Sequence, residues 1–143
     1  MDVTTHEAEL TELRETFGFL DDWEDRYAYI IDLGKGLPPM DEALKTEATK
    51  VRGCTSQVWM VGREHADDLG RAHLDIVADS DAHIVRGLIR ILLMLYSGRT
   101  KAEIREVDAE GFLAGLGLDR HLSPSRRNGL FAMVERIRAL AAV

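Results

Sequence analysis

The sequence predicts an α+β fold: a small antiparallel sheet of about three strands packed against helices. Three observations carry that prediction. Apolar residues recur at helical spacing near both ends of the chain, as in Leu10, Leu13 and Phe17. They alternate strictly in the middle, as in Leu74, Ile76 and Ala78. Turn formers separate the two regimes, and so few strands cannot bury a face without helices over it.

The elements follow in order. Thr4 or Thr5 is positioned to cap a first helix carrying Leu10, Leu13 and Phe17, and Gly18 breaks it. A second helix starts near Asp21, where Asp21, Asp22, Glu24 and Asp25 complement the positive end of its dipole. Trp23, Tyr27, Ile30 and Ile31 form its expected apolar stripe, and Gly34 to Pro39 ends it. Met40 to Ala48 reads as a short helical turn. Gln57 to His65 and Arg71 to Asp79 read as a hairpin turning at Asp67 to Gly70, with a third strand expected at Lys50 to Gly53. Ser80 or Asp81 caps the expected central helix, whose broad face is Ile84, Leu88, Ile91, Leu92 and Leu95. Short helices follow at Thr100 to Glu106, with Glu103 reaching back to Thr100, and at Ala109 to Leu116. Ser123-Pro124-Ser125 opens the last helix, which buries Leu130, Met133, Val134, Ile137 and Leu140.

The 143 residues fit one domain, read as residues 1–143, with a single core. Hydrophobic residues make up 45% and charged residues 30%, which is too apolar for a disordered chain. The net charge of −7 supplies no bulk attraction for phosphates and argues against nucleic acid as a direct partner. The first residues carry neither a basic flank nor an apolar core, and the longest apolar run, Ile91 to Tyr96, is far short of a membrane span. A cytoplasmic location is expected. Charge is also uneven: residues 1–32 hold ten acids and two bases, whereas residues 120–143 hold five arginines and one acid. Either two solvated helix faces differ in sign, or the surface is bipolar and orients a protein partner.

One cysteine excludes an internal disulfide, an all-cysteine iron–sulfur site on one chain and a Cys-pair zinc knuckle. Cys54 is either an inert core thiol or a loop nucleophile. Its neighbours favour a loop: Gly53 permits a sharp turn, Thr55 and Ser56 offer hydroxyls, and Lys50 and Arg52 would stabilise a thiolate if they reached the sulfur. None of the five histidines lies within ten residues of Cys54, so they read as surface or capping groups and not as a Cys–His pair. No metal-ligand spacing is present. The Gly34-Lys35-Gly36 and Gly115-Leu116-Gly117 segments complete no phosphate-loop pattern and read as turns. Arg120, Arg126 and Arg127 at a helix start either bind an anion or pair with acids of a neighbouring helix.

Three stretches together resemble one family. VRGCTSQVWMV, ADSDAHIVRGLIRILLMLYSGRT and LGLDRHLSPSRRNGLFAMVERI are similar, in order and separation, to the SufE family of sulfur acceptors; GLPPM and FLAGLG fit as well. The resemblance runs from about Asp21 to Ile137. It implies a small curved antiparallel sheet packed against helices, similar to iron–sulfur scaffold proteins of the IscU type. It implies a persulfide carrier on Cys54, with Gly53, Thr55, Ser56 and Arg126 in support. The implied partner is a cysteine desulfurase of the SufS or CsdA type, which would hold the pyridoxal phosphate, so this chain needs no cofactor or metal of its own. The chain would stimulate that desulfurase and pass sulfur to an iron–sulfur scaffold such as SufBCD. A family variant feeding another acceptor, such as tRNA modification, and a non-catalytic scaffold or interaction module stay open, as do monomer and homodimer. Thr55 stands where many relatives have glutamine or another polar residue. On this reading Cys54 rests partly buried and is presented on docking.

Overall fold

In the computed structural model the backbone is described over residues 3–142 and the side chains over residues 6–142. Helix α1 (Val3–Phe19) buries Leu10, Leu13 and Phe17 along one face, and continues past Gly18. The expected cap at Thr4 or Thr5 concerns side chains outside the described residues. Helix α2 (Trp23–Gly34) is capped by Asp22, whose carboxylate accepts from the Asp25 N–H at 2.8 Å. Its inward face runs through Trp23, Tyr27, Ile30 and Gly34, so Ile31, one residue round, is 37% exposed and leaves the expected stripe. Between α2 and the sheet only Glu42–Leu44 is helical, as a single 3-10 turn.

Strands β1 (Val58–Ala66) and β2 (Ala72–Ser80) form the hairpin, paired from Val58 with Ser80 to Ala66 with Ala72. Val58, Met60, Leu74, Ile76 and Ala78 share its buried face. The third strand differs from expectation. Lys50 makes only an isolated bridge to Trp59, because Gly53 at φ +90° turns the chain away from the sheet. Sheet order β1-β2-β3 is completed by β3 (Arg99–Thr100), where Gly98, also at positive φ, returns the chain from a helix and donates to the Leu74 carbonyl at 2.8 Å.

That helix, α3 (His83–Tyr96), is the centre of the core and is buried nearly all round. It crosses α2 in backbone contact, since a Cβ on Gly87 would overlap the Ile30 carbonyl. Its expected caps are occupied elsewhere: the Asp81 carboxylate accepts from the Gln57 N–H, and the Ser80 hydroxyl accepts from the Ala82 N–H. Ala82 therefore stands at the cap position with no side-chain bond. Helix α4 (Lys101–Glu106) has the full Thr100/Glu103 capping box. Helix α5 (Ala109–Gly115) starts on Asp108, and α6 (Leu118–His121) is a single turn launched by Gly117 at φ +80°. Helix α7 (Pro124–Ala142) closes the molecule, burying Leu130, Met133, Val134 and Ile137, with Ala141 buried where Leu140 was expected.

Candidate functional site

Cys54 sits at the tip of a loop held at both ends. On one side the Val51 N–H donates to Val58 O at 2.8 Å and the Met60 N–H to Thr49 O at 2.9 Å, so residues 52–57 close like a wide hairpin end. On the other, Gln57 and Asp81 exchange two bonds: Gln57 N–H to the Asp81 carboxylate at 3.0 Å, and Asp81 N–H to Gln57 O at 3.3 Å. The Arg136 guanidinium donates to Lys50 O at 2.7 Å and ties the loop to α7.

The loop lies against α7. A Cβ on Gly53 would stand 3.3 Å from the Ala132 Cβ, and the Cys54 thiol donates to the Gly129 carbonyl at 3.6 Å, a weak bond. Beside the sulfur is a cleft of about 20 Å³, room for one water-sized occupant. Val58, Val85, Leu88, Leu130 and Met133 form its apolar lining; Thr55, Ser56, Ser125 and Arg126 supply the polar remainder. Burial pushes the half-buried Cys54 thiol up from its ordinary value, and a carbonyl facing the sulfur acts in the same direction, because both disfavour the thiolate.

The structure thus brings Thr55, Ser56 and Arg126 to the same cleft as Cys54, with Gly53 beside them. It does not bring Lys50 or Arg52 to the sulfur. Both reach toward Glu47, at 3.7 Å and 3.9 Å, and Arg52 is 81% exposed. The Arg126 guanidinium makes no ion pair among the described residues, whereas Arg120 pairs with Asp119 and Arg127 donates to the Asp119 carbonyl. No histidine lines the cleft. Among the described residues no group of three or more His, Cys, Asp or Glu is placed to hold a metal ion. Sequence reasoning missed Gly129 and Asp81. A glycine inside a strongly periodic helix was the available signal for the first; nothing local marked the second.

Comparison with known proteins decides the family. The SufE family model, described as an Fe–S metabolism associated domain, matches residues 11–141. The chain belongs to the SufE family. This SufE-family protein is 47% identical over 133 residues to an uncharacterized SufE-like protein of Rhizobium meliloti, covering 92% of this chain and 94% of that one. It is 48% identical over 136 residues to another from Rhizobium etli, covering 95% and 91%. The solution structure of a hypothetical protein from Thermus thermophilus superposes with a TM-score of 0.68 at 24% identity, covering 93% of both chains, which supports the fold. Membership supports an accessory role in sulfur transfer and implies a cysteine desulfurase as partner. No helix among the described residues is long and apolar enough to cross a membrane.

Proposed function

We propose that Cys54 accepts the outer sulfur of a persulfide held by a pyridoxal-phosphate cysteine desulfurase, stimulates that enzyme by unloading it, and carries the sulfur to iron–sulfur cluster assembly. The observation that supports this reading most is the placement of the chain's one cysteine, on a tethered loop beside a small, largely apolar cleft.

The step is an exchange of the thiol–disulfide kind. The Cys54 thiolate attacks the outer sulfur and a new S–S bond forms on Cys54. The S–S bond to the desulfurase cysteine breaks, and that cysteine leaves as a thiolate which takes up a proton. No external oxidant or reductant enters the balance. A second thiol on the loop would release the carried sulfur as sulfide, so a lone cysteine suits a carrier. The apolar lining of the cleft shelters a persulfide from oxidation and reduction between partners. Because the resting thiol is protonated, docking has to draw the loop off α7 before attack; the exposed Arg126 guanidinium, free of ion pairs among the described residues, is available to the partner's acids.

Intact-protein mass spectrometry tests the reading. The pure protein is mixed with a desulfurase of the SufS type and free cysteine, without reductant. One added sulfur on the peptide carrying Cys54, lost on adding reductant and absent in Cys54→Ser, is expected. No added sulfur with an active cognate desulfurase would make Cys54 a structural thiol.

A further inference from the structure

Gly129 is out of place by local criteria. It lies inside α7 and is fully enclosed, where glycine costs about 1 kcal/mol relative to alanine. A helix-interior glycine normally signals close approach by another element. Here the three atoms nearest to a Cβ built on it all belong to Cys54: Sγ at 3.5 Å, Cα and Cβ at 3.7 Å. No other helix or strand supplies a nearer atom, so the bare Cα face is turned to this cysteine. The Gly129 carbonyl is also the acceptor of the thiol, at 3.6 Å. Ala132, three residues on and so on the same face of α7, meets Gly53 in the same way. The loop is therefore seated on consecutive turns of α7, Gly53 against Ala132 and the sulfur against Gly129.

We infer that Gly129 is the positioning residue of the Cys54 sulfur: its carbonyl takes the S–H bond and its missing side chain makes the seat, so that the sulfur rests protonated against α7. As a positioning role this rests on the sulfur-acceptor reading above. A thiolate in the seat would face the lone pairs of the Gly129 carbonyl and a largely apolar wall, with the Thr55, Ser56 and Ser125 hydroxyls and the exposed Arg126 guanidinium as the only polar side chains of the lining. A methyl group on Gly129 would stand in ordinary van der Waals contact with Sγ, whereas the branched side chain of valine would not fit beside it and would lengthen the S–H bond and displace the sulfur toward water, where the thiolate is better solvated. Glycine at this position thus keeps the nucleophile quiet until the loop moves.

The test uses the full chain, whose single cysteine makes alkylation unambiguous. The rate of reaction with iodoacetamide is followed from neutral to alkaline pH for the wild type, Gly129→Ala and Gly129→Val, with helical content and melting temperature as checks on folding. Gly129→Val is expected to move the midpoint down by about half a unit or more and to speed reaction at neutral pH about threefold, since each unit is tenfold in thiolate. Gly129→Ala, whose methyl group fits in ordinary contact, is expected to move it less. Gly18→Ala, a helical glycine with nothing within 4 Å of its Cβ, is expected to leave the profile unchanged and controls for helix propensity. A Gly129→Val profile that coincides with that control, or moves to alkaline pH, in a variant that keeps its helical content overturns the inference. Sulfur loading of the wild type by the desulfurase is scored separately, so loss of the acceptor reading and loss of the Gly129 role give different results.

Discussion

The two ends of the β1–β2 hairpin handle charge in opposite ways. At the Val58 end the Cys54 seat is built largely from apolar side chains, with one carbonyl at the sulfur and Thr55, Ser56, Ser125 and Arg126 as its polar part, and burial holds the thiol neutral. At the turn end His73 and Asp67 are held charged. The two His73 ring nitrogens face the Gly98 carbonyl and the Asp67 carboxylate, each at 2.8 Å. Both partners only accept, so both nitrogens must carry protons. The Asp67 bond, then the Gly98 carbonyl, raise His73 above its ordinary value. The His73 bond, then the Arg71 N–H, hold the Asp67 carboxyl well below the usual carboxylate range. The same carboxylate takes the Arg71 side chain at 2.7 Å and the Leu69 N–H at 2.9 Å. His65 stacks on His73 with centroids 5.0 Å apart and bonds Asp75 at 2.9 Å. One end is closed by an ionic cluster around Asp67; at the other the ionisable sulfur stays neutral, although Asp79, opposite Trp59 at that end, pairs with Lys45 and Arg86.

The sharpest way to break the contrast is to remove a wall of the seat. Leu130→Ala deletes a fully buried side chain that also lines the cleft, and is expected to cost about 2–5 kcal/mol by denaturant unfolding. Alkylation of Cys54 at neutral pH should quicken in the same variant. Asp81→Ala comes next: it removes the acceptor for the Gln57 N–H and is expected to cost about 1 kcal/mol while loosening the loop, read as faster alkylation. At the ionic end, stability should depend on pH with a definite sign. A histidine raised in the folded state stabilises fully below its unfolded value, about 6.5, and the contribution is lost as pH rises through the higher folded value. The depressed Asp67 contributes fully above about 4 and is lost as pH falls through its lower folded value. His73→Gln should therefore melt below the wild type between those values, and the two curves should converge at alkaline pH. The smallest effect belongs to Arg52→Ala, expected to stay within about 0.5 kcal/mol and to leave the thiol profile unmoved, because Arg52 reaches Glu47 and not the sulfur.

What the sequence revealed was local. The Thr100/Glu103 capping box, the Leu10/Leu13/Phe17 face and the alternation of β2 depend on neighbours a few residues away, and each forms as expected. The misses involve partners far along the chain or elements too short to show a period. β3 has two residues, and only the return from α3 makes it a strand. Ser80 and Asp81 carry the right chemistry for a cap, but the turn and the Cys54 loop claim them first. Ile31 was misplaced because Gly34 and Gly87 set how α2 sits on α3. In the candidate site, Cys54 and its loop neighbours were legible from the family motif. Its seat was not, since Gly129 lies 75 residues away and meets the sulfur only in the folded chain.

The volume of the cleft has a consequence for access. About 20 Å³ of free space beside Cys54 admits a water-sized molecule, so a bulkier reagent reaches the sulfur from the exposed part of the residue and not through the cleft.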